Sequence, residues 1–463
     1  MKSVNPATGE TIATYPDHTP EQVQAALHAA HAAFLTYRRT TFAQRSGWMN
    51  AAADVLERRV EELARLATRE MGKTLEAARQ EVRKCASACR YYAAHAGDFL
   101  APEPAQTDAD DAYVTYQPLG VVLAVMPWNF PYWQAFRFIA PTLMAGNTGL
   151  LKHASNVPGC ALAIEDVLRE AGFPAGVFTT LLIGSQEVEA VLKDDRVRAV
   201  SLTGSEGAGR AVSATAGAQL KPAVMELGGS DPFIVLPGAD LELAAKTAVT
   251  ARTINNGQSC IAAKRFIVHA DVYDAFTQAF VAGLNALKVG DPEADDTDVG
   301  PLATPQIRDD LHAQVQDAVN KGARVLTGGK RPGGPGNYYP VTALDQLTPE
   351  MDVWTQETFG PAALIFRVGS LDEAIELANA TSFGLGSSAW TADPAAQRRL
   401  TEELEAGSVF INAMVASDPR LPFGGVKNSG FGRELGRHGI LQFVNVKSVS
   451  IGAPAGAHQT RTE

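Results

Sequence analysis

Ala199-Val200-Ser201-Leu202-Thr203 is a short apolar run that reads as a strand, and Gly204-Ser205-Glu206-Gly207-Ala208-Gly209 directly after it reads as a turn into a helix. The first N–H groups of such a helix are free to hold phosphate. The Gly-x-Gly-x-x-Gly dinucleotide fingerprint is absent, and this turn stands in its place as a variant. Taken alone, the turn is weak, because glycines between a strand and a helix are usually structural. Working outward, apolar runs over residues 120–126, 149–152, 178–183 and 232–236 alternate with helical segments, the signature of a doubly wound parallel sheet. Upstream, Val23, Leu27, Ala30 and Phe34 keep helical spacing over residues 21–38. Leu56, Val60, Leu63 and Ala67 do the same over 51–71, so the chain opens with helices. Downstream, strands predicted over 264–269, 323–328, 362–368 and 408–412 make a second α/β unit. Residues 330–336 read as a Pro/Gly-rich surface loop, and the tail 453–463 as frayed. No internal repeat is visible.

A chain of 463 residues that is 46% hydrophobic buries a large core and divides into two or three units. No run approaches the roughly 18 apolar residues of a membrane span. Met1-Lys2-Ser3-Val4-Asn5-Pro6 lacks signal- and transit-peptide features, so a cytoplasmic location is expected. The net charge of −11 is spread along the chain, which favours solubility and argues against nucleic acid as a partner. Four scattered cysteines, Cys85, Cys89, Cys160 and Cys260, make no disulfide framework and fit a reducing compartment. Cys85 and Cys89 lie four apart on a helix without a second Cys or His pair, so no metal site is expected. They and Cys160 read as small buried apolar groups.

Cys260 closes the stretch Asn255-Asn256-Gly257-Gln258-Ser259-Cys260, and Glu226 heads Glu226-Leu227-Gly228-Gly229-Ser230. A thiol is the best side-chain nucleophile near neutrality once a modest fall in its pKa releases the thiolate, and a nearby carboxylate serves as base. Pro127-Trp128-Asn129-Phe130-Pro131 follows an apolar run and holds an amide between prolines, as an oxyanion hole requires. Each residue alone has a plain structural reading: a buried cysteine, a glutamate capping a strand, an asparagine in a turn. Their joint occurrence points to covalent catalysis.

These three motifs together resemble the aldehyde dehydrogenase superfamily, from Asn5-Pro6-Ala7-Thr8-Gly9 to Phe423-Gly424-Gly425. Within it the chain resembles the succinate-semialdehyde dehydrogenase group, through Leu151-Lys152-His153-Ala154-Ser155-Asn156 and Ser417-Asp418-Pro419-Arg420-Leu421-Pro422-Phe423. The resemblance implies an α/β fold of two Rossmann-related domains plus a small β oligomerisation sheet. Residues 1–106 and 119–227 would bind the dinucleotide, and 228–430 would carry the nucleophile. Segments 107–118 and 440–452 would build a homodimer or homotetramer, 113–118 pairing with a strand near 445–451. The polar run 107–112 reads as a linker.

By the same resemblance Gly204, Ser205 and Gly209 lie by the pyrophosphate and nicotinamide, Lys152 contacts the adenosine ribose, and Trp128 and Leu227 complete the cofactor set. Glu357, in Gln356-Glu357-Thr358-Phe359-Gly360-Pro361, would bind the nicotinamide ribose with Phe359 near the ring. At Ser155 NAD-selective relatives often carry a glutamate. A carboxylate there repels a 2′-phosphate and a serine donates to it, so NADP is the expected cofactor and NAD the alternative. His153 replaces the proline common in the superfamily.

The implied cycle passes through a Cys260 thiohemiacetal and thioester, the latter hydrolysed by water activated by Glu226. The presence of Glu226 favours a free acid over transfer to coenzyme A. Arg137, in an otherwise apolar helix and on the face of Trp133, is the expected anchor for a distal carboxylate, with Ser417 beside it. The expected substrate is therefore succinate semialdehyde, with glutarate semialdehyde, one methylene longer, a difference of only about 1–3 kcal/mol. Three alternatives stand. Arg137 is a structural arginine paired with an acid, or Arg420 is the anion contact; the enzyme accepts aliphatic and aromatic aldehydes broadly; or the fold is catalytically silent.

Overall fold

Val121–Met126 carries six apolar side chains in succession, the composition of a strand buried on both faces. In the computed structural model, which describes residues 1–452, it lies inside a six-stranded sheet. The order is Gly430–Phe431, Ala223–Glu226, Val197–Thr203, Val121–Met126, Thr148–His153, Phe178–Thr180. All neighbours are parallel except the Gly430–Phe431 edge. Alternation along the strand splits its contacts. Val121 and Leu123 pack with Leu27 and Ala30 of the Pro20–Tyr37 helix and Val212 of the Glu206–Ala218 helix. Val122, Ala124 and Met126 face the opposite layer, built by the Phe42–Arg58, Leu75–Phe99, Trp133–Met144 and Pro158–Glu170 helices.

The second sheet has seven strands in the order Arg324–Thr327, Thr342–Asp345, Ala362–Val368, Arg265–His269, Pro232–Val235, Gly386–Trp390, Ser408–Ile411. It is parallel but for the antiparallel edge strand Arg324–Thr327. Thr342–Asp345 and Gly386–Trp390 were absent from the expected strands, because Gly386-Ser387-Ser388 offers no apolar run and Thr342–Asp345 is only four residues long. A third, antiparallel sheet sets Asp111–Pro118 between Glu103–Pro104 and Val444–Ile451, so the expected linker already enters the strand at Asp111.

The helix expected over 51–71 is two helices, Phe42–Arg58 and Val60–Met71, broken where Arg59 leaves helical geometry at φ −98°, ψ 15°. The second ends at Gly72 with φ 85°, a left-handed turn that glycine adopts without a Cβ penalty. Residues 330–336 form no regular element, as expected. The tail 453–463 lies outside the described residues. Cys85, Cys89 and Cys160 are buried in the core. Among the described residues no helix is long and apolar enough to cross a membrane.

Candidate active site

Asn255, Asn256 and Gly257 turn left-handed in succession, with φ of 56°, 60° and 76°, which coils the chain tightly before Cys260. Asparagine tolerates this conformation better than other non-glycine residues, and at Gly257 a Cβ would meet the Gly360 carbonyl carbon at 2.3 Å. The side chains pin the coil. Asn256 Nδ2 donates to the carbonyls of Gly72 (2.8 Å) and Pro301 (3.0 Å), and its Oδ1 accepts the Gly300 N–H at 2.9 Å. Gln258 Oε1 accepts the Ala303 N–H at 2.9 Å. Lys264, fully buried, donates to the carbonyls of Ser259 (2.8 Å) and Cys260. Cys260 is thereby fixed, half-buried. Burial pushes its thiol up to about 12, while Lys264 and Arg137 pull it down and Glu357 and Asp231 push it further up. Desolvation outweighs the two neighbouring cations.

Asn129 sits in the turn after Val121–Met126. Its Nδ2 donates to the Gln258 carbonyl at 3.1 Å, and its own carbonyl accepts from Asn255 Nδ2 at 2.7 Å. The amide has a second N–H to offer. His153 closes the neighbouring strand and fastens the same turn. Its Nδ1 accepts the Ala154 N–H at 2.8 Å, which assigns the proton to Nε2 for donation to the Pro131 carbonyl, also at 2.8 Å. Burial pushes its imidazole down to about 4, so it is neutral.

Two cavities meet at Cys260. The first, about 710 Å³, is lined by Trp128, Asn129, Gly204, Ser205, Leu227, Glu357 and Phe359. Its features fit a nicotinamide dinucleotide. Ser205 caps the Glu206–Ala218 helix, whose first-turn N–H groups suit phosphate. The rings of Trp128 and Phe359 meet edge to face at 5.7 Å. Glu357 is held by Lys264 Nζ at 3.2 Å and offers carboxylate oxygens for ribose hydroxyls. Gly228 keeps that approach open, since a Cβ there would fall 2.7 Å from Glu357 Oε2. Lys152, Ser155 and Gly209 do not line this cavity. Lys152 is buried near the end of the Thr148–His153 strand, its pKa lowered by burial against the pull of Glu187, and Ser155 is exposed in the turn beyond. Gly209 acts through packing, for a Cβ there would strike Leu227 Cδ1 at 2.6 Å.

The second cavity, about 840 Å³, is lined by Lys84, Trp133, Arg137, Ser417 and Phe423 among others. Arg137 is ion-paired with Glu434, donates from Nη2 to Thr203 Oγ1 at 3.2 Å, and lies 4.6 Å over the Phe423 ring. Its charge thus has a protein partner while its side chain still reaches the cavity wall. Arg420 is exposed and paired with Asp418 at 2.5 Å, outside the cavity lining. Ser417 Oγ accepts from Lys84 Nζ at 2.7 Å.

Glu226 ends the Ala223–Glu226 strand and lines neither cavity. Neither carboxyl oxygen has a hydrogen-bond partner, and Oε1 faces Gly424, where a Cβ would lie 2.7 Å away. Burial and then Glu434 hold this carboxyl well above the usual range, against Arg137 and Arg433. Lys84, Lys264 and Glu434 were not anticipated. Each is a charged residue, and nothing local in the sequence marks its side chain as part of this site.

The aldehyde dehydrogenase family model matches residues 1–449. Succinate-semialdehyde dehydrogenase (NADP+) 1 of Mycobacterium tuberculosis is 58% identical over 454 residues, 97% of this chain and 99% of its own. The succinic semialdehyde dehydrogenase of Streptococcus pyogenes, solved with NADP+, superposes with a TM-score of 0.95 at 37% identity, covering 98% of this chain and 100% of that one. An NAD-dependent aldehyde dehydrogenase of Sinorhizobium meliloti superposes with a TM-score of 0.95 at 33% identity, covering 99% and 93%. With its two-sheet fold and its cysteine on the wall between two cavities, the chain belongs to the aldehyde dehydrogenase family.

Proposed function

We propose that the protein oxidises succinate semialdehyde to succinate with NADP as its preferred cofactor and NAD as the weaker one. The observation that carries this reading is that Cys260 borders both a cleft suited to a dinucleotide and a cavity walled by Lys84, Arg137 and Ser417. The names of the Mycobacterium tuberculosis and Streptococcus pyogenes relatives support it.

Cys260 sulfur attacks the aldehyde carbon, and the oxyanion takes the spare Asn129 N–H and the Cys260 backbone N–H. Losing one such donor costs about 3 kcal/mol of barrier. When bound, the dinucleotide supplies the hydride acceptor that turns the thiohemiacetal into a thioester. Glu226 must swing from Gly424 toward Cys260 and lose its proton before it activates the water that releases succinate. Ser155, exposed where a carboxylate would repel a 2′-phosphate, supports NADP.

The protein works as a homodimer or homotetramer built on the three-stranded sheet, where Val446 and Ile451 are exposed apolar side chains. Four free cysteines support a reducing, cytoplasmic setting. The Arg137–Glu434 pair favours a second reading, a broad-range aldehyde dehydrogenase. Nicotinamide reduction with succinate semialdehyde or hexanal, each with NADP or NAD, separates the two. The highest kcat/KM is expected for the semialdehyde with NADP; equal rates on hexanal would establish the broad-range reading instead.

A further inference from the structure

We propose that Lys84, on the Leu75–Phe99 helix, is a specificity-determining residue that receives the substrate's distal carboxylate together with the Ser417 hydroxyl. The inference rests on the reading of a carboxylated aldehyde as substrate, and it names the group that selects it.

The charges around the cavity differ in how they are engaged. Glu81 is ion-paired with Lys73 and accepts the N–H groups of Tyr132 (2.7 Å) and Trp133 (2.9 Å). Arg137 is paired with Glu434. Among the described residues Lys84 has no ion-pair partner, although its side chain lies in the cavity wall with Nζ 4.3 Å over the Trp133 ring. A desolvated ammonium without a counter-charge is costly, and an anion entering the cavity relieves that cost.

The donor arrangement fits one carboxylate. Lys84 spends one N–H on Ser417 Oγ at 2.7 Å and keeps two. The Ser417 hydroxyl, accepting from Lys84, keeps its own hydrogen to donate. One ammonium and one hydroxyl, hydrogen-bonded to each other, thus line the cavity that Cys260 also borders. Ser417 lies 333 residues from Lys84, so the pair is assembled only by the fold.

The charged and titratable neighbours of Lys84 are Arg137 on the Trp133–Met144 helix, Asp418 in the loop after Ser417, and Glu81 and Cys85 on its own helix. Burial, then Arg137, pull its pKa down to about 8, against Cys85, Asp418 and Glu81. The ammonium therefore loses its proton within a pH range the enzyme can be assayed in, which gives a second readout.

The test compares kcat/KM for succinate semialdehyde with that for butanal, which lacks the carboxylate, in wild type, Lys84→Met and Lys84→Arg at saturating NADP. Wild type is expected to favour the semialdehyde. In Lys84→Met the semialdehyde-to-butanal ratio falls about 10- to 100-fold, and Lys84→Arg recovers part of it. In wild type the ratio falls as pH rises past about 8, because titration of Cys260 and Glu226 acts on both aldehydes and cancels. A wild-type preference that survives unchanged in Lys84→Met overturns the Lys84 assignment and leaves the substrate reading standing; absence of any wild-type preference overturns both. If Lys84→Met yields no folded enzyme, the wild-type profile decides, and a ratio that stays flat across pH 8 overturns the assignment.

Discussion

The proposed nucleophile, Cys260, does not carry an intrinsically acidic thiol. Its thiol is pushed up to about 12 by burial, with only Lys264 and Arg137 working the other way. Ser155 shows the opposite case, a residue whose role rests on what it lacks. Ser155 places no carboxylate of its own at that exposed turn, where the proposed NADP preference needs none. Ser155→Glu is expected to lower the NADP-to-NAD ratio of kcat/KM at least about tenfold by placing a negative charge beside the 2′-phosphate. An unmoved ratio would show that cofactor choice is made elsewhere.

Among the elements, the Thr148–His153 strand and the turn carrying Asn129 are joined by His153, so the turn that bears the proposed oxyanion donor is held by a neutral imidazole. The fold keeps that imidazole at about 4, against 6.5 for an unperturbed one, so as pH falls the unfolded chain takes up the proton first. The contribution of neutral His153 is intact above pH 6.5 and drains away between there and about 4, by on the order of 3 kcal/mol. His153→Gln keeps a donor for Pro131 and removes the titration, so wild type should lose more Tm than the variant between about pH 7 and 5. Equal losses would contradict the assignment. How far elements were legible follows the same logic of local against distant causes. The apolar run Val121–Met126 declares itself, and Cys260 and Asn129 sit in motifs whose meaning is carried by adjacent residues. Gly386–Trp390 does not, because its place in the sheet comes from its neighbours Pro232–Val235 and Ser408–Ile411. The Lys84–Ser417 bond was invisible for the same reason, as was Glu434 beside Arg137.

Across the whole molecule, both sheets contribute residues to the proposed reaction. Asn129 and Glu226 lie at the ends of strands in the six-stranded sheet, and Cys260 sits between the Leu241–Thr253 helix and the Arg265–His269 strand of the seven-stranded one. The coil Asn255–Gly257 and buried Lys264 hold Cys260 in place, while Glu226 is buried away from the lining of both cavities with unpartnered oxygens. Covalent chemistry at one fixed thiol, finished by one mobile carboxylate, is the central claim. The most direct measurement of it is intact-protein and peptide mass spectrometry of Glu226→Gln after mixing with succinate semialdehyde and NADP. The account predicts a succinyl thioester accumulating on Cys260, with about one NADPH formed per active site before turnover stops. Undiminished succinate release, or an acyl group found on a residue other than Cys260, would contradict it.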